Sequence, residues 1–471
     1  MNHRGTATGR GTEVLRPCEE ERRSNLQHFQ QACLNSRDCF VPRNDEHGLI
    51  YNLQLVIMLK NYFKIAIAVL KRRKFFTFIS LFGISFTLTI LIVLTAFVDN
   101  LVSANYPEVN RDRSLYITTI QQKDTKHQGQ MNNPASFWYL NHYVSSLKTP
   151  AKVGISSIFR STNAYVNNKK LAIDLKYTND GFWDVMRYDF IEGKPYSRQQ
   201  IKNSERVAVI TEETKRNYFG NVEGVVGKYI ETDNVQYRVT GVVKNVPITM
   251  PVSYANMFVP YTVSKTDYKQ KGLMGEYTAV LLADPKADLR KMKAEYAGVV
   301  SKIKPDAKNY DVFTSVADPF VASLIRSTPL GRDTEDGGVG TLLFIASVFV
   351  FLFMLLPTLN LININISRIM ERSSEIGVRK AFGASGITLV GQFLVENLIL
   401  TFFGCVIGIV LSSIILQIIN NSDLIANIHL TINLSVLFLS LLACLVFGLL
   451  SGVYPAWRMS RLQVVTALKA Q

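Results

Sequence analysis

Long stretches of the 471-residue sequence lack charge altogether, and they exclude a purely soluble protein. The uncharged apolar runs are Phe75–Val98, Thr341–Ile366, Leu398–Ile419 and Leu434–Trp457. At about 1.5 Å of helical rise per residue, each run can cross a hydrocarbon core of ~30 Å. We therefore predict an α-helical integral membrane protein with four transmembrane helices, at 75–98, 340–366, 386–419 and 434–457.

Cysteine is scarce: the chain has five, and none lies in 99–339, between the first and second apolar runs. A disulfide framework is thus excluded there, and the segment must fold around its own hydrophobic core. With about 240 residues it is long enough to do so. Alternating runs such as Ala164–Leu175 and Gln236–Val243 indicate strands, while Glu212–Phe219 and Lys286–Ile303 indicate helices. This mixture, without regular βαβ alternation, predicts a large α+β domain.

Motifs of intrinsic catalysis are missing. Gly227-Lys228 is followed by Tyr229 and not by Ser or Thr, so it does not complete a phosphate-binding loop. The sequence has no G-x-S-x-G and no H-E-x-x-H, and no two of its six histidines lie within four residues of each other. We expect a non-catalytic chain that binds no metal and no cofactor of its own.

The net charge of +15 would fit a nucleic-acid partner, but much of the excess flanks the apolar runs. Lys and Arg cluster before the first run, after the second and after the fourth, whereas Asn420–Asn433 contains neither. By the positive-inside rule, both termini are cytoplasmic and 99–339 lies on the outer side of the membrane. We therefore expect contact with membrane lipids and none with nucleic acid.

Three further segments are cytoplasmic in this topology. Residues 1–57 are polar and lack a secretory signal, so we interpret them as a tail or as translated sequence upstream of a start at Met58, and favour the second. Residues 58–74 place apolar and basic side chains on opposite faces, which predicts an amphipathic interfacial helix. Residues 458–471 form a tail after the fourth run.

A charged segment, 367–385, separates the second and third apolar runs. Its charged side chains recur at steps of three and four residues, which would pair Arg368 with Glu371 and Glu375 with Arg379 on a helix. Such a helix is suited to docking a soluble partner; the alternative is a juxtamembrane loop that only satisfies topology.

Small residues recur at four-residue steps in the third and fourth runs, a spacing that lets membrane helices approach closely. The glycines expected to pack helices together are Gly404, Gly408, Gly448 and Gly452.

Several ordered motifs resemble one family. R-I-M-E-R-S-S-E-I-G-V-R-K-A-F-G-A-S followed by L-V-G-Q-F-L-V-E-N resembles the signature of FtsX-like permease domains in MacB-type (type VII) ABC transporters, a domain that would cover 340–471. The sequence G-V-Y-P-A-W-R-M-S-R-L-Q-V-V-T-A-L-K is similar to its C-terminal motif, with Val464 in place of the usual proline. F-W-D-V-M-R-Y-D-F-I-E-G-K-P-Y-S and Y-R-V-T-G-V-V-K-N-V-P, within 99–339, are similar to the MacB-like periplasmic core domain.

The resemblance implies a permease subunit that pairs with a second permease chain, identical or different, and works by mechanotransmission. A separate ABC ATPase, using ATP and Mg²⁺, would bind the segment after the second transmembrane helix and move the periplasmic domain. The coupling residues implied by the match are Glu371, Arg372, Glu375, Ile376, Gly377, Arg379, Lys380 and Gly383. The implied activity is efflux or extrusion of antibiotics, peptides or lipoproteins. Participation of a periplasmic adaptor and an outer-membrane channel is left open.

Two alternatives stay open. One is an FtsX-like cell-division regulator of cell-wall hydrolases, although those proteins have a smaller outer domain than this chain. The other is a membrane-anchored receptor without an ATPase, which would tolerate charge reversal at Glu375 or Arg379.

Overall fold

A computed structural model of the chain describes residues 67–68, 71–72, 74–166, 169–285, 288–305, 310–331, 334–371, 373–383, 385–422 and 427–460. The extension 1–57, most of the interfacial helix predicted over 58–74, and the tail beyond residue 460 lie outside the described residues. The chain divides into two compact units, Met1–Ala68 and Val69–Gln471, and every element below belongs to the second.

The described helices vary from single turns to membrane-length rods. In chain order they are α1 (Lys74–Val102), α2 (Phe137–Tyr139), α3 (Gly181–Val185), α4 (Arg198–Lys202), α5 (Glu212–Phe219), α6 (Leu289–Val300), α7 (Phe320–Arg326), α8 (Val339–Glu371), α9 (Ser373–Ala381), α10 (Gly386–Asn421) and α11 (Leu434–Ser460).

Three of the described helices are long and apolar enough to cross a membrane: α1, α10, and α11 as far as Pro455. Helix α8 holds a shorter apolar stretch, Val339–Leu355, so a fourth span there stays a prediction. Helices α1, α10 and α11 pack together around a buried cluster that contains Leu88 and Cys405. Residues 341–349 of α8 are exposed on every side, and α8 joins α11 further along, where Asn365 Nδ2 donates to the Ser451 carbonyl at 3.3 Å.

The part of the chain between α1 and α8 forms the outer domain. Its described strands are β1 (Ser114–Ile117), β2 (Ile120–Asp124), β3 (Gly129–Asn133), β4 (Lys152–Ser157), β5 (Arg160–Val166), β6 (Lys169–Thr178), β7 (Phe190–Gly193), β8 (Val207–Thr211), β9 (Tyr229–Thr232), β10 (Val235–Val243), β11 (Met257–Pro260), β12 (Tyr277–Leu282) and β13 (Val312–Ser315).

These strands form a ten-stranded sheet and a three-stranded sheet. The larger has the order β1-β12-β4-β6-β11-β8-β10-β7, with β5 beside β6 and β9 beside β10. Strand β10 runs parallel to β8 and β11 parallel to β6, whereas the other pairs in this sheet are antiparallel. The smaller sheet, β13-β2-β3, is antiparallel. The α+β prediction is confirmed.

Individual elements of the outer domain also match the sequence patterns. The alternating run Ala164–Leu175 lies in two antiparallel strands, β5 and β6, with Val166 opposite Lys169, and β10 covers the predicted run Gln236–Val243. Helix α5 has the predicted bounds. Helix α6 is shorter than Lys286–Ile303, because it begins after Asp288 and the chain turns at Ser301–Ile303.

Aromatic side chains fill the core of the outer domain. Tyr139 and Tyr296 are fully buried in one cluster, and their hydroxyl oxygens lie 2.9 Å apart. In a second cluster, Trp183 packs edge-on against Phe258 and Tyr188, with ring centroids 5.4 Å apart in both pairs. Buried aromatic area of this kind stabilises a domain that has no cysteine.

Candidate functional site

The segment predicted as one helix over 367–385 is divided between two helices. Residues Ser367–Glu371 complete α8, and α9 follows from Ser373 to Ala381. Arg372 and the side chain of Arg368 lie outside the described residues, so the predicted pair of Arg368 with Glu371 is not among the described contacts. The C-terminal end of α8 and the whole of α9 lie at the end of the bundle that is remote from the outer domain.

Apolar packing fixes α9 against its neighbours. Ile376 is 7% exposed and packs in a small cluster with Ile369 of α8 and with Leu389 and Phe393 of α10. Gly377, the next residue, is buried as well. The cluster buries one face of α9, and the charged side chains lie on the rest of its surface.

Arg379 ties α9 to α10 by hydrogen bonds. One of its guanidinium nitrogens donates to Glu375 Oε1 at 2.6 Å, which confirms the predicted pair four residues apart. The other donates to Gln392 Oε1 on α10 at 3.0 Å. The second contact joins the two helices, so movement of α9 must displace α10 or break the hydrogen bond to Gln392. Lys380 on α9 is half-buried, and Glu371 at the end of α8 is exposed.

A tight turn ends α9 and presents two large apolar side chains. Gly383 has a φ of +88°, and its N–H donates to the Lys380 carbonyl at 3.0 Å, as at many helix ends that use glycine. On either side of this turn, Phe382 is 88% exposed and Ile387 is 86% exposed. The sequence analysis did not single out either side chain, because their exposure depends on the turn.

The four packing glycines lie at close helix contacts. A Cβ at Gly404 would lie 2.6 Å from Ile84 Cγ2, and one at Gly408 would lie 3.1 Å from Leu88 Cβ, both on α1. Likewise, a Cβ at Gly448 or Gly452 on α11 would lie 2.5 Å from a side-chain atom of α10. These glycines bring α1, α10 and α11 close enough to move together.

The connection from α1 into the outer domain is held by a buried charge cluster that sequence reasoning missed. Arg111 Nε donates to Glu108 Oε2 at 2.9 Å, and Ser253 Oγ donates to Glu108 Oε1 at 2.6 Å. A terminal nitrogen of Arg111 also donates to the carbonyls of Leu101, at 2.9 Å, and Ser103, at 2.6 Å, at the end of α1. The spacing of three residues between Glu108 and Arg111 was the available signal.

A second arginine holds the connection from the outer domain to α8. The Arg326 guanidinium contacts the Asp318 carboxylate, which Lys293 Nζ also approaches at 3.2 Å. The same guanidinium donates to the carbonyls of Thr334, at 3.0 Å, and Gly331, at 3.4 Å, just before α8. Each connection to the membrane bundle is thus bound through its backbone to a charged pair.

The loop between α10 and α11 provides a third link to the outer domain. Asn427 Nδ2 donates to Glu213 Oε2 at 2.9 Å, and Asn245 Nδ2 donates to Asn427 Oδ1 at 3.0 Å. Asn420, in the last turn of α10, holds the same loop by exchanging two hydrogen bonds with Leu430, at 2.8 and 2.9 Å. Helix α10 therefore contacts α9 at one end and, through this loop, the outer domain at the other.

Lys176 lies beside the cluster that contains Glu108. It is 1% exposed, and its ammonium donates to the carbonyls of Pro251, at 2.8 Å, and Val252, at 2.6 Å. Burial lowers the pKa of Lys176 from 10.5 to about 7, while the nearby Glu108 carboxylate acts in the opposite direction. Among the described residues, no group of three His, Cys, Asp or Glu side chains is placed to hold a metal ion.

Two family models match the chain, and each covers one of the regions described above. The model of the MacB-like periplasmic core domain matches residues 77–298, and that of the FtsX-like permease C-terminal domain matches residues 347–464. Fold and matches define the class: a multi-pass inner-membrane protein with an extracytoplasmic α+β domain. The two matched domains support a MacB-type ABC transporter permease.

Curated relatives share this likeness at low identity. The chain is 24% identical over 305 residues to the macrolide export ATP-binding/permease protein MacB of Pasteurella multocida, a match that covers 64% of this chain and 44% of the relative. It is 25% identical over 306 residues to the protein of the same name from Mannheimia succiniciproducens, with the same coverage. The chain thus spans less than half the length of these relatives. The solved periplasmic region of MacB from Actinobacillus actinomycetemcomitans aligns at 16% identity with a TM-score of 0.33, covering 46% of this chain and 94% of that one.

Proposed function

We propose that the chain is the non-catalytic permease subunit of an ABC-type transporter. In this proposal an ATPase on a separate polypeptide binds α9 in the cytoplasm, and its use of ATP and Mg²⁺ moves the outer domain in the periplasm. The cargo class is antibiotics, peptides or lipoproteins, exported across the envelope. The curated relatives are named macrolide export proteins.

The observation that carries this proposal is the surface at α9, which we call the docking surface: α9 together with Phe382 and Ile387. Phe382 lies outside the candidate spans, and so large an exposed apolar side chain there is unusual unless a partner covers it. Ile387, in the first turn of α10, extends the apolar surface on the other side of the turn. They lie next to the charged face of α9, which supplies polar contacts around an apolar centre. A partner bound here would hold α9 and, through Arg379, α10.

Helix α10 provides the mechanical connection in this proposal. It is 36 residues long, which corresponds to about 54 Å of continuous helix. One end contacts α9 and the other binds the loop that contains Asn427, so a tilt or shift of α10 would reach the outer domain. Transmission through a rigid helix between two bonded contacts needs no substrate channel between the spans.

A second permease chain completes the proposed complex. Residues 341–349 of α8 are exposed on every side within this chain, and they are available to pack against another copy or a related chain in the bilayer. We propose both termini and α9 on the cytoplasmic side, and α8 as the fourth span. A periplasmic adaptor and an outer-membrane channel are additional partners to be sought.

Co-purification tests the proposal directly. The tagged chain, extracted from native membranes in mild detergent, should bring down a nucleotide-binding protein. Glu375→Arg and Arg379→Glu should each reduce the recovered ATPase at least tenfold, because they put like charges together on α9. The matched control is Arg238→Glu, a charge reversal at an exposed pair in the outer domain. Equal recovery of the ATPase with all variants, or no nucleotide-binding protein with wild type, would count against the proposal.

A further inference from the structure

A cavity of about 280 Å³ lies where the outer end of α1 meets the outer domain and the loop before α11. Its size is near the lower end of the range for small-molecule sites, about 300 to 1,000 Å³. Three separate parts of the chain line it. The side chains that matter for its chemistry are Ala96, Asp99, Asn100, Asn105, Pro247 and Met250.

The polar lining offers oxygen acceptors. Asn100 Nδ2 donates to the His429 carbonyl at 3.2 Å, and Asn105 Nδ2 donates to the Asn100 carbonyl at 3.1 Å. The amide oxygens of Asn100 and Asn105 accept no hydrogen bond from the described residues, so both of these lining residues keep an acceptor for a ligand. No Lys or Arg is among the described residues that line it. The site therefore favours a ligand that donates hydrogen bonds.

Asp99 adds a negative charge to this lining. Its Oδ1 accepts from Ser103 Oγ at 2.7 Å and from Asn433 Nδ2 at 3.2 Å, and within the described chain no donor contacts its Oδ2. A carboxylate oxygen beside two amide oxygens matches the three donors of a protonated primary amine.

Apolar side chains also line the cavity, and they lie close to the bilayer. Ala96 and Met250 are buried, and Pro247 lies between Asn245 and Met250 in the lining. Asp99 follows directly after the uncharged run Phe75–Val98, so the cavity lies at the expected boundary between hydrocarbon and water. A ligand there can place a charged head against Asp99 and a chain against apolar side chains.

We infer that this cavity binds the protonated amine of an amphiphile. An ethanolamine lipid of the outer leaflet and a soluble cationic amphiphile share this chemistry. An occupant would contact α1, the outer domain and the loop at once, which are the parts that Asn100, Asn245 and Asn427 already connect. It would thus stabilise their present arrangement. The inference goes beyond the proposed function and does not depend on an ATPase.

Asp99→Asn is the informative variant, because the amide keeps an oxygen for Ser103 and Asn433 while the charge is lost. Glu223→Gln is the matched control, since it removes the same charge from an exposed position of the outer domain. For the lipid, the full chain is released from bilayers with equal phosphatidylethanolamine and phosphatidylglycerol, and retained lipids are identified by native mass spectrometry. For the soluble source, octylamine and octanol are added to the chain in phosphatidylcholine nanodiscs, and thermal unfolding is followed.

Wild type and Glu223→Gln should retain the ethanolamine lipid, or be stabilised by octylamine and not by octanol. Asp99→Asn should bind the amine about tenfold more weakly, as expected when a charged hydrogen bond is lost. Selective retention of the lipid identifies the membrane as the source, and a response to octylamine alone identifies a soluble amphiphile. Equal behaviour of wild type and Asp99→Asn in both arms overturns the inference.

Thr431→Phe gives a second, independent test. Thr431 is exposed and lines the cavity, so a phenyl ring there should fill it without disturbing the core. If Asp99→Asn does not fold, the result with Thr431→Phe decides: loss of amine binding supports the inference, and unchanged binding overturns it.

Discussion

The two ends of the membrane bundle are bound to their neighbours by different chemistry. Next to the outer domain, Glu108, Arg111 and Asn427 make buried or half-buried hydrogen bonds whose partners all belong to this chain. At the opposite end, α9 is held by Arg379 and a small apolar cluster, and Phe382 is left exposed. The outer contacts are hydrogen bonds within the chain, whereas the other end has an exposed apolar surface of the kind expected at an interface. Variants at the two ends should therefore differ in whether stability or partner binding is lost.

The largest loss of stability should follow from Glu108→Ala. It leaves the Arg111 guanidinium buried without its carboxylate, which costs about 3–5 kcal/mol. Denaturant unfolding of the full chain in detergent, followed by the fluorescence of Trp138 and Trp183, measures the change. The control Glu205→Ala breaks an exposed pair with Arg238 and should cost at most about 1 kcal/mol. Equal losses of unfolding free energy for the two variants would show that the buried pair of Glu108 and Arg111 stabilises the chain no more than the pair of Glu205 and Arg238.

The second-largest effect should be a dependence of outer-domain stability on pH, which arises from the buried side chain of Lys176. Its folded pKa of about 7 is below its ordinary value of 10.5, so between these values the unfolded chain binds more protons. Stability should therefore rise as the pH increases from about 7 towards 10, and the cost of the buried charge is fully present below that range. Lys176→Met should flatten the dependence of the unfolding midpoint on pH. Parallel pH curves for wild type and variant would refute this assignment.

A smaller effect is expected within the bundle from Gly404→Ala. The added methyl group would lie within 2.8 Å of two atoms of Ile84, which is too close to a β-branched side chain for an easy adjustment. Overpacking of this kind costs about 1–3 kcal/mol. Gly83→Ala is the control on α1, since a Cβ there would meet no atom within 4 Å. Heating should remove the monodisperse chain at a lower temperature for Gly404→Ala than for wild type, and Gly83→Ala should behave like wild type. A similar drop in temperature for both variants would contradict the packing role.

The smallest change in stability, below about 0.5 kcal/mol, should follow from replacing Phe382 and Ile387 together by Ala. Both side chains are exposed, so the fold of the chain does not depend on them, but the ATPase recovered with it should fall severalfold. Tyr229→Ala, at an exposed aromatic of the outer domain, is the control and should change neither quantity. A clear drop in the unfolding midpoint, with undiminished recovery of the ATPase, would show that these two side chains stabilise the fold and do not bind the partner.

Local sequence patterns predicted the features that depend on interactions between residues close together in the sequence. The absence of charge located the three helices that are long and apolar enough to cross a membrane, and the spacing of Glu375 and Arg379 gave their ion pair, because both signals depend on neighbours within a few turns. Helix α5 was correct for the same reason.

Contacts between distant parts of the chain could not be predicted in this way. Nothing in an alternating strand shows that Lys176 points inward to carbonyls 75 and 76 residues further along. Asn427 finds Glu213 across 214 residues, and its loop has no motif. The exposure of Phe382 and Ile387 depends on a turn whose direction is set by the packing of α9 on α10.

The two arginines at the entry to and exit from the outer domain have a mechanical consequence. Arg111 and Arg326 donate hydrogen bonds to backbone carbonyls of the connecting segments. Neither segment can therefore extend before a pulling force reaches the sheet. Tension along α1 or α8 should reach the strands almost undiminished, and the domain should tilt by an amount comparable to the travel of the helices. A stiff connection of this kind favours small movements of the outer domain under high force over large movements under low force.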